Sequence, residues 1–249
     1  MRKLLKRGDV PEHLNVPWGP VEGIIVFALV WLGLPILLIL LAGVLSPYIP
    51  LAKSFYDGLV NGNVVANFVE VLLDAIAGLG LVYYYLRRYK VGWKAVGWRK
   101  FNLWKAIKIL AVVFVIFLVG VSLLLAIVSF LIPSFNANQT QSNDFTGTVA
   151  QQHRLISIFA LVIIPPIIEE TVFRGFIFAA FAKKWGTWIG AICSSLLFGF
   201  AHLQANVSIY TFLLGMLLCY MYVKLKSVYP GMALHMLNNY LALMAVTAK

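Results

Sequence analysis

Hydrophobic runs dominate the chain and recur at a spacing that predicts helices crossing a bilayer. About 20 apolar residues suffice for one crossing. By that measure seven candidate spans emerge, at roughly 21–45, 63–86, 105–132, 155–182, 187–204, 207–224 and 229–247. The fifth and sixth are short and separated only by Leu203–Val207. The expected fold is all-α, a polytopic transmembrane helix bundle forming a single membrane domain over 1–249. No internal repeat interrupts it. The long polar connection Pro133–His153, rich in Asn, Gln, Ser and Thr, reads as an external loop. The first apolar run is too long for the core of a signal peptide and reads as a retained span.

Composition agrees with the pattern. Hydrophobic residues make up 61% of the 249 and charged ones only 12%, with a mean hydropathy of +0.89. A soluble domain carries roughly 25% charged residues. The net charge of +11 comes from basic residues between apolar runs, not from a basic face on a soluble fold. That argues against nucleic acid and for contact with anionic membrane lipid. Sixteen of the 20 Lys and Arg fall on connections of one side. The positive-inside rule then puts the N-terminus inside and the C-terminus outside a multi-pass cell-membrane protein. Cys193 and Cys219 lie within apolar segments and carry no disulfide or metal-thiolate signal.

Candidate chemistry lies where charge is most expensive. Glu169, Glu170 and Arg174 sit inside the fourth apolar run, each costing on the order of 2.5–3.5 kcal/mol at a helix centre. Glu170 and Arg174 are spaced i, i+4 with the acid first, the favourable order for an ion pair. Glu169 is then the carboxylate without a partner on its own helix. Phe198 and His202 share one helical face, as do His235 and Asn239. Counting rise per residue from the inner interface places Glu169 about 20 Å deep, His202 about 21 Å, Asn239 about 15 Å and His235 about 9 Å. His235 is therefore the outlier in depth. A carboxylate base beside a His can activate water, and a His with an Asn can donate to an oxyanion. The same set could instead hold zinc or another divalent metal through Glu169, His202 and His235, although the H-E-x-x-H spacing is absent. No Gly-x-Ser-x-Gly elbow surrounds Ser194 or Ser195.

In that order and spacing, Glu169-Glu170-x-x-x-Arg174, Phe198-x-x-x-His202 and His235-x-x-x-Asn239 resemble the three motifs of the CPBP family. This is the group of CAAX prenyl protease 2 and bacteriocin-processing proteins, also called Abi. The resemblance covers about 155–247, a catalytic core. It implies an intramembrane endopeptidase in which Glu169 activates water, His202 helps to hold that water, and His235 and Asn239 stabilise the oxyanion. Glu170 and Arg174 would support the helix. It implies peptide or membrane-protein substrates: prenylated CAAX-like tails, bacteriocins or membrane-anchored peptides. A glutamate mechanism requires no cofactor, whereas a metalloprotease mechanism would. Oligomeric state is left open.

Asn63, Asn67, Glu70 and Asp74 add a polar stripe on one face of the second span. They read as interior residues bonded to neighbours. The alternative is a proton or cation path, or an acidic wall that pairs with a basic substrate segment; the path would suit a transporter, which with a non-proteolytic immunity factor on the same scaffold is the second reading of the chain.

Overall fold

The computed structural model describes residues 10–135 and 151–247. Most of the expected external loop lies outside the described residues. Among the described residues eight helices follow one another: α1 Pro20–Leu45, α2 Pro50–Val60, α3 Val64–Arg88, α4 Leu103–Leu131, α5 Arg154–Trp185, α6 Thr187–Phe200, α7 Ala205–Leu225 and α8 Tyr229–Thr247.

Five of these (α1, α3, α4, α5 and α7) are both long and apolar enough to cross a membrane. The other two expected spans fall short for different reasons. Helix α6 has 14 residues, about 21 Å of rise. Helix α8 has 19 residues, but His235, Asn238 and Asn239 dilute its apolar character. Helix α2 was not foreseen. Its eleven residues form an amphipathic turn between the first two apolar runs, too short to register as a span.

Local signals explain the ends. Pro20 and Pro50 open α1 and α2, where a missing N–H costs nothing. Asn63 caps α3 by accepting from Val65 and Ala66 N–H, and Asn102 caps α4 through Lys105 N–H. Lys183, Lys184 and Lys224 occupy last turns, where they complement the helix dipole. Prolines also shape the interiors. A π-helical turn at Leu29–Gly33 precedes Pro35, and another at Ile158–Ile163 precedes Pro165 and Pro166. Proline removes the N–H that would close the α-helical turn behind it, so the backbone re-pairs in a wider register.

The core forms around the C-terminal half of α5. Val172, Phe173 and every residue from Phe176 to Ala180 are almost wholly buried. Helix α3 runs parallel to α5. Val64 clusters with Ala160, a Cβ on Gly78 would meet Ile168 at 3.1 Å, and the Tyr85 ring lies 5.3 Å from that of Phe176. The segment before α1 straps the C-terminal end of α5. The Trp18 indole stacks on Phe176 at 4.5 Å and donates to the Phe176 carbonyl, and Lys183 Nζ donates to Val16 O at 2.7 Å.

His13 is buried in this strap, edge-on to Tyr222 at 5.3 Å, with neither ring nitrogen hydrogen-bonded. Burial, followed by the nearby positive charges of Arg99 and Lys226, holds its imidazole down at about 4, against an ordinary 6.5. A depressed folded-state value means that unfolding takes up a proton between those limits. Stability is therefore whole above pH 6.5 and falls as the pH drops toward 4. Thermal unfolding midpoints in detergent should decline across that window, and His13→Leu should remove this part of the slope.

Candidate active site

Glu169 lies midway along α5, where the pitch changes. The helix is α-helical over Ile164–Glu169 and π-helical over Glu170–Phe178. A π-helical stretch frequently marks a functional site. Here it begins between the two glutamates and so sets their directions. Glu170 is fully buried with Arg174, Oε1 to Nη1 being 2.9 Å. The expected i, i+4 pair is present, at ion-pair distance but without hydrogen-bond alignment. The guanidinium instead lies over the Phe198 ring, its Cζ 4.2 Å from the centroid, so an aromatic face shares in balancing the charge.

His235 joins the two acids. Its Nδ1 is 3.3 Å from Glu170 Oε1 and its Nε2 is 3.6 Å from Glu169 Oε2. The depth count had set this residue apart, and the contact corrects it. Counting from a common interface assumes that α8 starts near the membrane surface. A Cβ on Gly231 would lie 2.9 Å from Glu170 Oε2, so the first turn of α8 already stands level with the acids. Glu169 accordingly has a partner, across helices rather than along its own. It also differs from Glu170 in access, with 15% of its side chain exposed against 1%.

The other two motif residues are placed differently. His202 follows the end of α6 with its Nδ1 2.9 Å from Phe198 O, and it makes no ion pair with either glutamate. Because a carbonyl only accepts, Nδ1 carries the hydrogen and Nε2 is left as the acceptor of the neutral ring. His202 meets the cluster through Phe198, whose ring stands edge-on to His202 at 5.1 Å and to His235 at 5.7 Å. Asn239 donates through Nδ2 to Leu161 O at 2.9 Å. Leu161 lies four residues before Pro165 and five before Pro166, so neither an α nor a π bond can reach its carbonyl. Asn239 satisfies the orphan and pins α8 to α5. The Asn239 oxygen accepts from Asn238 Nδ2 at 3.2 Å, and Asn238 in turn accepts from the Tyr210 hydroxyl. Sequence reading did not single out Asn238 or Tyr210. Two adjacent prolines inside a span were the available signal that a side chain must come from elsewhere.

For a metal, Glu169 and His235 are adjacent, and His202 keeps Nε2 as a ligand while its Nδ1 bonds its own helix. Among the described residues, no group of three or more His, Cys, Asp or Glu side chains is arranged to hold an ion. Ser194 is committed to the Phe173 carbonyl at 2.9 Å. Cys193 and Cys219 are free. The polar stripe of α3 divides: Asn63 is a helix cap, Asn67 is buried, Glu70 is partnered, and Asp74 keeps one oxygen buried without a hydrogen bond.

Comparison with known proteins points the same way as the motifs. The family described as type II CAAX prenyl endopeptidase, Rce1-like, matches residues 151–241. The chain is similar to YdiL of Bacillus subtilis (strain 168), a protein named as a candidate membrane peptidase. The two are 24% identical over 134 residues, 49% of this chain and 55% of that one. It is also similar to an uncharacterised 24.3 kDa protein of Escherichia coli, at 38% identity over 52 residues, 20% of this chain and 24% of the other. Thus it spans about half of one relative's length and a quarter of the other's. No solved structure matches. The matched segment takes in both glutamates, Arg174, Phe198, His202, His235 and Asn239, so over those residues the chain is similar to the type II CAAX prenyl endopeptidases, the group whose motifs it resembles.

Proposed function

We propose that the protein is an intramembrane endopeptidase that hydrolyses a peptide bond with water activated by Glu169. The observation carrying this reading is the asymmetry of the two acids around one imidazole. Glu170 is fully buried and ion-paired, whereas Glu169 is accessible and faces His235 Nε2. A general base must reach its water; Glu169 meets that need and Glu170 does not.

Glu169 takes a proton from water as the water oxygen bonds to the scissile carbonyl carbon. His202 Nε2, free to accept, helps to orient the water. The oxyanion is met by His235 and by the N–H that Asn239 does not spend on Leu161. Collapse breaks the C–N bond and returns the proton from Glu169 to the leaving amine. Glu170, steadied by Arg174, holds His235 Nδ1. Donation from Nε2 needs a second ring proton, an imidazolium flanked by the carboxylates of Glu169 and Glu170, while Glu169 stays the free base. No step is routed through a metal. Substrates of this reading are peptides reaching the site within the membrane, such as prenylated CAAX-like tails, bacteriocin precursors or membrane-anchored segments.

An internally quenched, farnesylated CAAX-type peptide in detergent micelles tests the prenylated class. Wild-type protein should release the fragment, and Glu169→Gln should lower kcat by about 10²–10⁴-fold, the range for a lost general base. Turnover retained by a folded Glu169→Gln protein would remove this mechanism.

A further inference from the structure

The turn Trp93–Val96 and the two residues after it pack against α5 and the start of α8. Trp98 Nε1 donates to Thr171 Oγ1 at 2.9 Å, and the same hydroxyl donates to Ile167 O at 2.6 Å. Thr171 is wholly buried and immediately follows the Glu169–Glu170 step where α pitch gives way to π. Its hydroxyl thus fills the coordination of a carbonyl at the junction itself, and Trp98 fixes the hydroxyl.

The surrounding contacts make the placement exact to within a methyl group. A Cβ on Gly175 would lie 2.3 Å from Val96 O, so α5 and the turn touch backbone to backbone. On the other side, Val228 N donates to Gly97 O at 3.0 Å, and the Trp98 ring lies 6.0 Å from that of Tyr229. Val228 and Tyr229 lead into α8. One short turn therefore holds α5, with both glutamates, and the start of α8, with His235.

We propose that Trp98 is a positioning residue: through Thr171 it fixes the α-to-π junction at which the two glutamates diverge, and with it the Glu169–His235–Glu170 geometry. A register change at Thr171 would rotate Glu170 and Arg174 relative to Glu169 and withdraw one acid from the imidazole. The kinetic arm of its test rests on the hydrolytic reading; the spectroscopic arm does not.

The full chain is labelled with 15N-histidine in micelles, and His235 is assigned by comparison with His235→Gln. Trp98→Phe, which keeps a ring but loses the donor, should shift the His235 ring-nitrogen signals. On the farnesylated peptide it should lower kcat about tenfold with KM within about twofold, as expected for a small misplacement of reacting groups. Thr171→Val should do the same, Thr171→Ser should restore both readouts, and the Trp98→Phe/Thr171→Val double variant should be no worse than the poorer single. Unchanged His235 signals in Trp98→Phe and Thr171→Val, or losses that multiply in the double variant, overturn the proposal. So does a shifted spectrum with undiminished kcat. If Trp98→Phe does not fold, the Thr171→Val and Thr171→Ser pair decides the matter alone. If wild-type protein leaves the peptide uncut, that reaction is wrong for this substrate, and the spectra still decide the positioning role.

Discussion

Replacing Arg174 by methionine should destabilise the protein by about 3–5 kcal/mol, the cost of leaving one member of a buried ion pair uncompensated. Both Arg174 and Glu170 are 1% exposed. With the guanidinium gone, Glu170 keeps only His235 Nδ1, at 3.3 Å, and Phe198 loses the cation over its face. The double variant Glu170→Gln/Arg174→Met should recover part of the loss, because it removes both charges and leaves side chains of similar volume. Unfolding by SDS titration or by heat in micelles measures this. A loss below about 1 kcal/mol would show that the pair behaves like a surface salt bridge, contrary to its burial.

The second large effect concerns His235. His235→Ala should lower peptide cleavage by about 10²–10⁴-fold, because it removes the group that touches both acids and the donor assigned to the oxyanion. The melting midpoint should fall as well, since Glu170 loses a polar neighbour. The diagnostic comparison is His235→Gln. It restores hydrogen bonding to one acid but cannot carry the second proton of an imidazolium, so it should recover stability more than rate. Equal recovery of both would mean that the imidazole is structural.

The two effects show what was legible in the sequence and what was not. Charges within an apolar run and helical spacing were sufficient to select Glu169, Glu170, Arg174, Phe198, His202, His235 and Asn239. They also gave the all-helical architecture, because bilayer thickness and backbone satisfaction leave few options. Contacts between helices were another matter. The linear depth count favoured His202 and Asn239 as companions of Glu169, yet the group at 3.6 Å is His235. A count along one helix contains no information about where the next one starts, and Gly231 allows α8 to start beside Glu170. The role of Asn239 at the Leu161 carbonyl follows from Pro165 and Pro166, but only once two helices are known to meet there. Likewise, no pattern in the sequence set Trp98 apart, because its indole N–H is committed to Thr171, 73 residues away. Amphipathic α2 escaped notice because a search for 20-residue runs passes over an eleven-residue helix.

The central claim is that Glu169 makes this chain a protease of the membrane interior, whatever its substrate. The most direct test compares membrane peptides from cells producing wild-type protein with those from cells producing Glu169→Gln at equal abundance. The account predicts a set of cleaved fragments, with their uncut precursors, whose ratio depends on Glu169. Indistinguishable peptide populations in the two membranes would contradict it.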